Sequence, residues 1–291
     1  MTVLANRDRK EADPTLSPPR RPYQGVLQIL RFNRRFYAGT LTAVTAVFLI
    51  AAFLPAPWRT LLRIAAVPAL FWMSSSLLVS HYIYDRSHLY DLTWLTRQLT
   101  RPPKHWVNIH AGLDETTPLL TTLFPHSEGR ALDIYDPLEM PERSIAEARR
   151  GAGCQACRAE SPLGFSEGTG AKAEMTLDSA GLAARATWST LPFPSHTLDT
   201  VFLIFTAHEL RRPASRIKFF RELARVLGPH GEVALIEHAR DWRNFLAFGP
   251  GFLHFFSPSS WRRTAHEAGF VVRTEFHFTP FVEVLILRNA S

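Results

Sequence analysis

The sequence predicts an α/β fold: a doubly wound, mostly parallel sheet whose last strand runs antiparallel, preceded by a two-helix transmembrane hairpin. Three observations carry this expectation. Two long runs near the N-terminus contain no Asp, Glu, Lys or Arg. From about residue 104 onward, short apolar runs alternate with segments of helical periodicity, the pattern of a parallel sheet with crossover helices. The two closing strand patterns are joined only by Thr279-Pro280, too short for a crossover, so they read as a hairpin.

Composition bounds the classes. The 291 residues are 46% hydrophobic and 20% charged, with a mean hydropathy of −0.05. That much apolar material excludes a disordered or fibrous chain. Two cysteines exclude a disulfide scaffold. They stand as Cys154-Gln155-Ala156-Cys157, and no second CxxC or tight His pair completes a zinc site, so they read as loop thiols and no metal is expected.

Residues 1–35 carry eight of the cations and only Asp8, Glu11 and Asp13 as acids, so most of the net +7 lies there. With Pro14, Pro18, Pro19 and Pro22 and few apolar residues, this reads as a disordered basic tail. Phe36–Pro55 follows without a charge, about 30 Å as a helix, which matches a bilayer core. A second such run spans Ile64–Tyr84, with Pro68 expected in its first turns. The connector carries Arg59 and Arg63, whereas cations flank the outer ends of both spans, including Arg86, Arg97, Arg101 and Lys104. The positive-inside rule then places tail and body in the cytoplasm, a multi-pass protein of the inner membrane. Residues 85–103 read as a juxtamembrane linker and 104–291 as the soluble body.

In the body, Trp106–His110 and Arg130–Tyr135 are strand patterns, separated by a helical Glu115–Phe124 and followed by a helical Ser144–Arg150. Residues from Gly151 to about Gly181 lack periodicity and read as an insertion. Leu198–Phe205 and Glu232–Glu237 are continuous apolar runs of the buried parallel type. Ser215–Leu227 spaces Ile217, Phe219, Phe220, Leu223 and Val226 helically, ended by Gly228-Pro229. A helix from Ser257 to Gly269 precedes the closing strands 271–278 and 282–287.

Three blocks then occur in order: Leu191-Pro-Phe-Pro with Asp199 downstream, Phe219-Phe-Arg-Glu-Leu-Ala-Arg-Val-Leu-Gly-Pro-His-Gly-Glu, and Trp261-Arg-Arg-Thr-Ala-His-Glu-Ala-Gly-Phe270. Together they resemble the class I S-adenosylmethionine-dependent methyltransferases of the type 11 group, over roughly residues 104–288. The resemblance implies a Rossmann-like sheet of the methyltransferase type, with S-adenosylmethionine as cofactor. It implies methyl transfer to a small-molecule or lipid-like acceptor, which the hairpin puts at the cytosolic membrane face. With a net excess of only +2 outside the tail and no recognition motif, nucleic acid is not expected as a partner. The first-strand turn departs from the family's glycine run. In Val107-Asn-Ile-His-Ala-Gly-Leu-Asp-Glu115 only Gly112 is kept, Asn108 stands where an acid is usual and His110 replaces the first glycine. Asp114 or Glu115 then stands in for the lost carboxylate, or the fold survives as a membrane-tethered binding or scaffold protein without activity.

The resemblance also implies a ribose-binding acid after the second strand, for which Asp136 is preferred over Asp133. It places Leu191, Phe205 and Thr206 beside the cofactor. In-line transfer from a sulfonium needs an oriented acceptor and, for a weakly acidic one, a base. His208, Glu237 and His238, at strand ends, are the candidates. Ala207-His-Glu-Leu-Arg-Arg212 is not a zinc-protease HExxH, because Arg212 takes the second histidine's place. Asn244–Phe256 reads as an apolar acceptor wall or a segment dipping toward the bilayer, and Asp85-Arg86 as a pairing to the body.

Overall fold

The computed structural model describes residues 22–141, 176–177 and 183–290. Tail residues 1–21, the helical pattern 144–150, the CxxC pair and most of the 151–181 insertion lie outside the described residues.

The N-terminal part differs from the expectation of a tail reaching residue 35. Gln24–Phe32 forms helix α1, and after a break at Asn33 helix α2 runs over Arg34–Ala52. The short apolar set Val26, Ile29, Leu30 and Phe32 lies among cations that dominate the composition, which is why a charge count hides it. Helix α3 runs over Ala56–His81, so the expected connector at 56–63 is helical, and the two apolar helices cover 34–52 and 56–81 rather than 36–55 and 64–84. Pro55 stands at the N-cap of α3 and Pro57 in its first turn, where a missing N–H costs nothing. Pro68 consequently lies inside α3 rather than in its first turns.

Helices α2 and α3 pack antiparallel, with the Tyr37 hydroxyl 3.1 Å from Ser76 Oγ. Both are long and apolar enough to cross a membrane by length and composition. Phe48, Leu49, Ile50, Phe53, Leu61 and Ile64 are all exposed on the pair.

Beyond α3 the chain makes a π-helical turn at Tyr82–Arg86, a 3-10 turn at His88–Asp91 and the short helix α4 at Leu95–Gln98. The sequence predicts a linker here, and the structure corrects that. Ile83, Leu89, Leu92, Leu95 and Leu99 are buried in one apolar cluster with Trp106, Phe202, Ile236 and Val284 from the sheet. The hairpin is therefore joined to the body through a core layer.

The body contains strands β1 (His105–His110), β2 (Glu128–Asp133), β3 (Thr176–Leu177), β4 (Ala183–Arg185), β5 (Leu198–Ile204), β6 (Leu227–His238), β7 (Phe270–Thr279) and β8 (Val282–Asn289). Their order is β3-β4-β2-β1-β5-β6-β8-β7. The β4-β2-β1-β5-β6 set is parallel, and β8 inserts antiparallel between β6 and β7, as the closing hairpin predicts. Helix α5 (Thr117–Leu123) follows β1, α6 (Pro213–Val226) follows β5, α7 (Trp242–Phe248) follows β6, and α8 (Pro258–Glu267) precedes β7. Ser257 caps α8 by accepting from the Ser260 N–H.

Alternate residues on the central strands serve two cores. Val107, Ile109, Val201, Leu203, Val233 and Leu235 meet Phe219, Phe220 and Trp261 of α6 and α8. Trp106, Phe202, Ala234 and Ile236 meet the layer formed by residues 83–99 on the other face. Burial on both faces explains why these strands lack polar alternation. Their parallel direction sends the carboxyl ends of β1, β2, β5 and β6 to one edge, the edge where such sheets bind ligands.

Candidate functional site

That edge holds a cavity of about 270 Å³. The ends of β1 and β5 form its floor with His110, Ala111, Ile204, Phe205 and Thr206, and Glu115 and Glu209 stand in its wall. Its roof is α1, which contributes Ile29, Phe32 and, just beyond its end, Asn33. The roof is tied at several points. The Asp85 carboxylate accepts from the Gly25 N–H at 2.6 Å and the Val26 N–H at 3.1 Å, satisfying orphan donors of the helix start. Gln28 Nε2 donates to Glu115 Oε1 at 2.6 Å. The sequence suggests that Asp85 pairs with the body; it holds α1 instead.

Two backbone positions at this edge have positive φ: Gly112 at 90° and Phe205 at 52°. Glycine adopts this freely, but a bulky residue there is strained by roughly 1–3 kcal/mol and persists only where its surroundings over-determine it. Phe205 is fixed by stacking on His238 at 4.8 Å and edge contact with Tyr84.

The expected cofactor residues separate into two groups. Asp133, at the end of β2 opposite His110 in register, accepts from the Gly112 N–H at 2.9 Å and so anchors the β1 turn. Asp136 accepts instead from the Leu138 N–H and the Trp188 indole, which shapes the following turn. The geometry thus favours Asp133 over Asp136 as the acid beside the turn. Asn108 is buried within β1, its amide nitrogen 2.8–3.1 Å from Asp114, Thr116 and Thr117. Asp114 Oδ1 also accepts the Thr116 and Thr117 N–H groups at the start of α5. Asn108 and Asp114 therefore build the β1–α5 turn, whereas Glu115 is the carboxylate that reaches the cavity. Leu191 belongs to the apolar core, its N–H bonded to Glu222. Phe205, Thr206, His110 and the Gly112 turn remain at the edge.

The expected bases also change parts. His238 is buried, with Nδ1 3.0 Å from the Phe281 carbonyl and Nε2 2.7 Å from the Tyr84 hydroxyl. The first contact requires a proton on Nδ1, so Nε2 accepts from Tyr84. Burial pushes its pKa down to about 4, and rings of Phe205 and Phe255 cover both faces. His238 is a neutral lock between the turn at Tyr82–Arg86 and the sheet, not a base facing the cavity. Its sequence position at a strand end gives no sign of Tyr84.

Glu237, 1% exposed, accepts the His208 N–H at 3.2 Å and lies 2.7 Å from His208 Nδ1. His208 Nε2 lies 3.2 Å from Glu209 Oε1. Burial opposes charge on His208, but Glu237 and then Glu209 outweigh it, holding the pKa well above the usual 6.5. Held between the Glu237 and Glu209 carboxylates, His208 positions Glu209. Glu209 is the group that faces the cavity.

This edge fits the methionine end of S-adenosylmethionine. His110 Nδ1 is buried without a hydrogen-bond partner, Glu115 supplies the carboxylate, and Gly112 keeps the turn free of a side chain. The cavity lies near the lower end of small-molecule pockets, roughly 300–1,000 Å³.

The fold is similar to that of solved S-adenosylmethionine-dependent methyltransferases. Residues 163–235 match the family described as "Methyltransferase domain". The mitomycin 7-O-methyltransferase MmcR is similar in structure at TM-score 0.50 and 14% identity, over 94% of this chain and 74% of that one. The pyocyanin biosynthetic protein PhzM has TM-score 0.50 and 13% identity, over 92% and 74%. A SAM-dependent methyltransferase from Aquifex aeolicus is 18% identical over 69% of this chain and 90% of that one, with TM-score 0.46. No curated protein matches the sequence. The fold and the matched domain support S-adenosylmethionine as the cofactor.

Proposed function

We propose that this chain is a membrane-anchored methyltransferase that transfers a methyl group from S-adenosylmethionine to a lipid-soluble small molecule at the cytosolic face of the inner membrane. The observation that carries the reading is the cavity at the β1 and β5 edge, walled by Glu115 and Glu209 and roofed by the helix that leads directly into the hairpin. Such an entrance lies beside the bilayer, where an apolar acceptor is concentrated. The exposed apolar surface of α2 and α3 supports the anchor, because water would leave it unburied. The cationic flanks support a cytosolic body.

In this reading, S-adenosylmethionine supplies an activated methyl group. His110 and Glu115 hold its polar end, and Asp133 fixes the Gly112 turn against it. Glu209, oriented by His208 and Glu237, holds or removes the acceptor's proton. Helix α1 excludes water.

Calorimetric titration of the full chain in detergent micelles with S-adenosylmethionine tests the proposal. Micromolar binding that Asp133→Asn weakens and Asp136→Asn leaves unchanged is expected; no binding at millimolar cofactor refutes it and leaves the scaffold reading. Single cysteines placed at Arg59 and Arg97 test the orientation: only the first should react with an impermeant maleimide from the periplasmic side.

A further inference from the structure

The geometry points to a divalent transition-metal site formed by His208, Glu209 and His254 against the wall of the cavity. Their ligand atoms all lie within 4.8 Å of one another. His208 Nε2 and Glu209 Oε1 are already 3.2 Å apart, close to the roughly 3.4 Å between ligands of a tetrahedral ion with bonds near 2.1 Å. The His254 ring stands edge-on to that of His208, with centroids 5.0 Å apart.

Two further observations mark this as more than a cluster of ionisable groups. Glu209 is 8% exposed, and its second oxygen, Oε2, is buried with no hydrogen-bond partner. Leaving a buried carboxylate oxygen unpaired is costly, and a cation removes that cost. In addition, the nitrogen of His208 remote from the site is held by Glu237 at 2.7 Å. A carboxylate on the far ring nitrogen is the usual partner of a metal-bound histidine, because it fixes the tautomer and strengthens the ligand. Arg211 clamps the two histidine backbones, donating to the carbonyls of His208 and His254 at 3.1 and 2.6 Å. The site thus has backbone positioning as well as ligands.

Two imidazoles and one carboxylate suit zinc or iron(II) rather than calcium or magnesium, which prefer oxygen donors. Three protein ligands leave a position for an outside oxygen, the arrangement of reactive rather than purely structural metal sites. Glu209 also lines the cavity, so a hydroxyl-bearing ligand there is the class that would fill that position. The site rests on these residues alone and stands whether or not S-adenosylmethionine binds. A bound ion takes the place of the proton shared by His208 Nε2 and Glu209, and raising the acidity of a hydroxyl at its open position then replaces Glu209 as the base.

The test uses the full chain in micelles, carrying Cys154→Ser and Cys157→Ser so that thiols do not compete. The protein is stripped with chelator and titrated with Zn²⁺ against a chromophoric indicator. One equivalent bound with submicromolar affinity is expected. Glu209→Gln and His254→Gln should each weaken binding by at least about tenfold, and Glu237→Gln by about 10–100-fold. Melting curves without metal show which variants fold; if Glu209→Gln does not, the less buried His254→Gln carries the comparison. No zinc bound by the parent below about 100 µM, or equal affinity in parent and His254→Gln, overturns the proposal.

Discussion

Replacing Asp85 with Ala should release the roof of the cavity. The carboxylate is only 4% exposed and accepts from two backbone N–H groups at the start of α1, Gly25 at 2.6 Å and Val26 at 3.1 Å. It also lies 3.0 Å from His81 Nδ1. Hydrogen bonds to a charged group contribute about 1.5–3 kcal/mol each, but water replaces part of this once the helix end opens. A loss of about 2–3 kcal/mol in α1 docking follows, a roughly 30- to 150-fold rise in the undocked population. The close seat of Gly25, whose added Cβ would fall 2.3 Å from Tyr84 Cβ, leaves no alternative docked position to absorb the loss. Hydrogen–deuterium exchange of peptides covering residues 24–32 in micelles reads this directly. Amides of α1 should exchange faster by about that factor, while those of β5 and β6 stay protected. Unchanged exchange over 24–32 refutes the capping argument.

Three other perturbations follow from the same contacts. Tyr84→Phe removes the donor to buried His238 Nε2, which should cost about 1–3 kcal/mol and lower the melting temperature; an unaltered melt would show that the turn at Tyr82–Arg86 does not depend on this bond. Gly249→Ala meets both a positive φ of 55° and Trp72 atoms 2.7 Å from the new Cβ, so α7 should loosen from α3 at about 1–3 kcal/mol, seen as a lower melting temperature and a change in tryptophan emission. Glu283 is buried, and burial, reinforced by the Glu275 carboxylate, pushes its pKa up from 4.5 to about 8. Between those two values the native state keeps a proton that the unfolded chain has released, so this group's effect is to lower stability as pH rises through that window. Glu283→Gln should therefore melt higher than the parent near the upper end of the window and about equally near its lower end, and a constant difference at both would contradict it.

Much of the architecture is legible locally. Two charge-free runs indicate two long helices, and continuous apolar runs at 198–205 and 232–237 indicate central strands, because burial on both sheet faces removes polar alternation. The closing hairpin follows from a connection too short to cross over. Helix α1 is not legible, since a nine-residue amphipathic segment within a cationic stretch resembles a tail until Asp85, distant in sequence, caps it. The same holds for residues 82–99, whose apolar residues show no single period because they fill three short turns against the sheet.

At the site, residue types and strand-end positions point to the correct edge but not to each residue's part. Local sequence determines that His208, Glu209, Glu237 and His238 stand at the ends of neighbouring strands. Only the tertiary structure decides that Tyr84 and Phe281 occupy both nitrogens of His238, that Glu237 and Glu209 hold His208 between them, and that Glu209 and Glu115 face the cavity. The physical reason is range. Helix and strand patterns arise from neighbours a few residues apart, whereas protonation and orientation depend on groups brought together from tens to more than a hundred residues away.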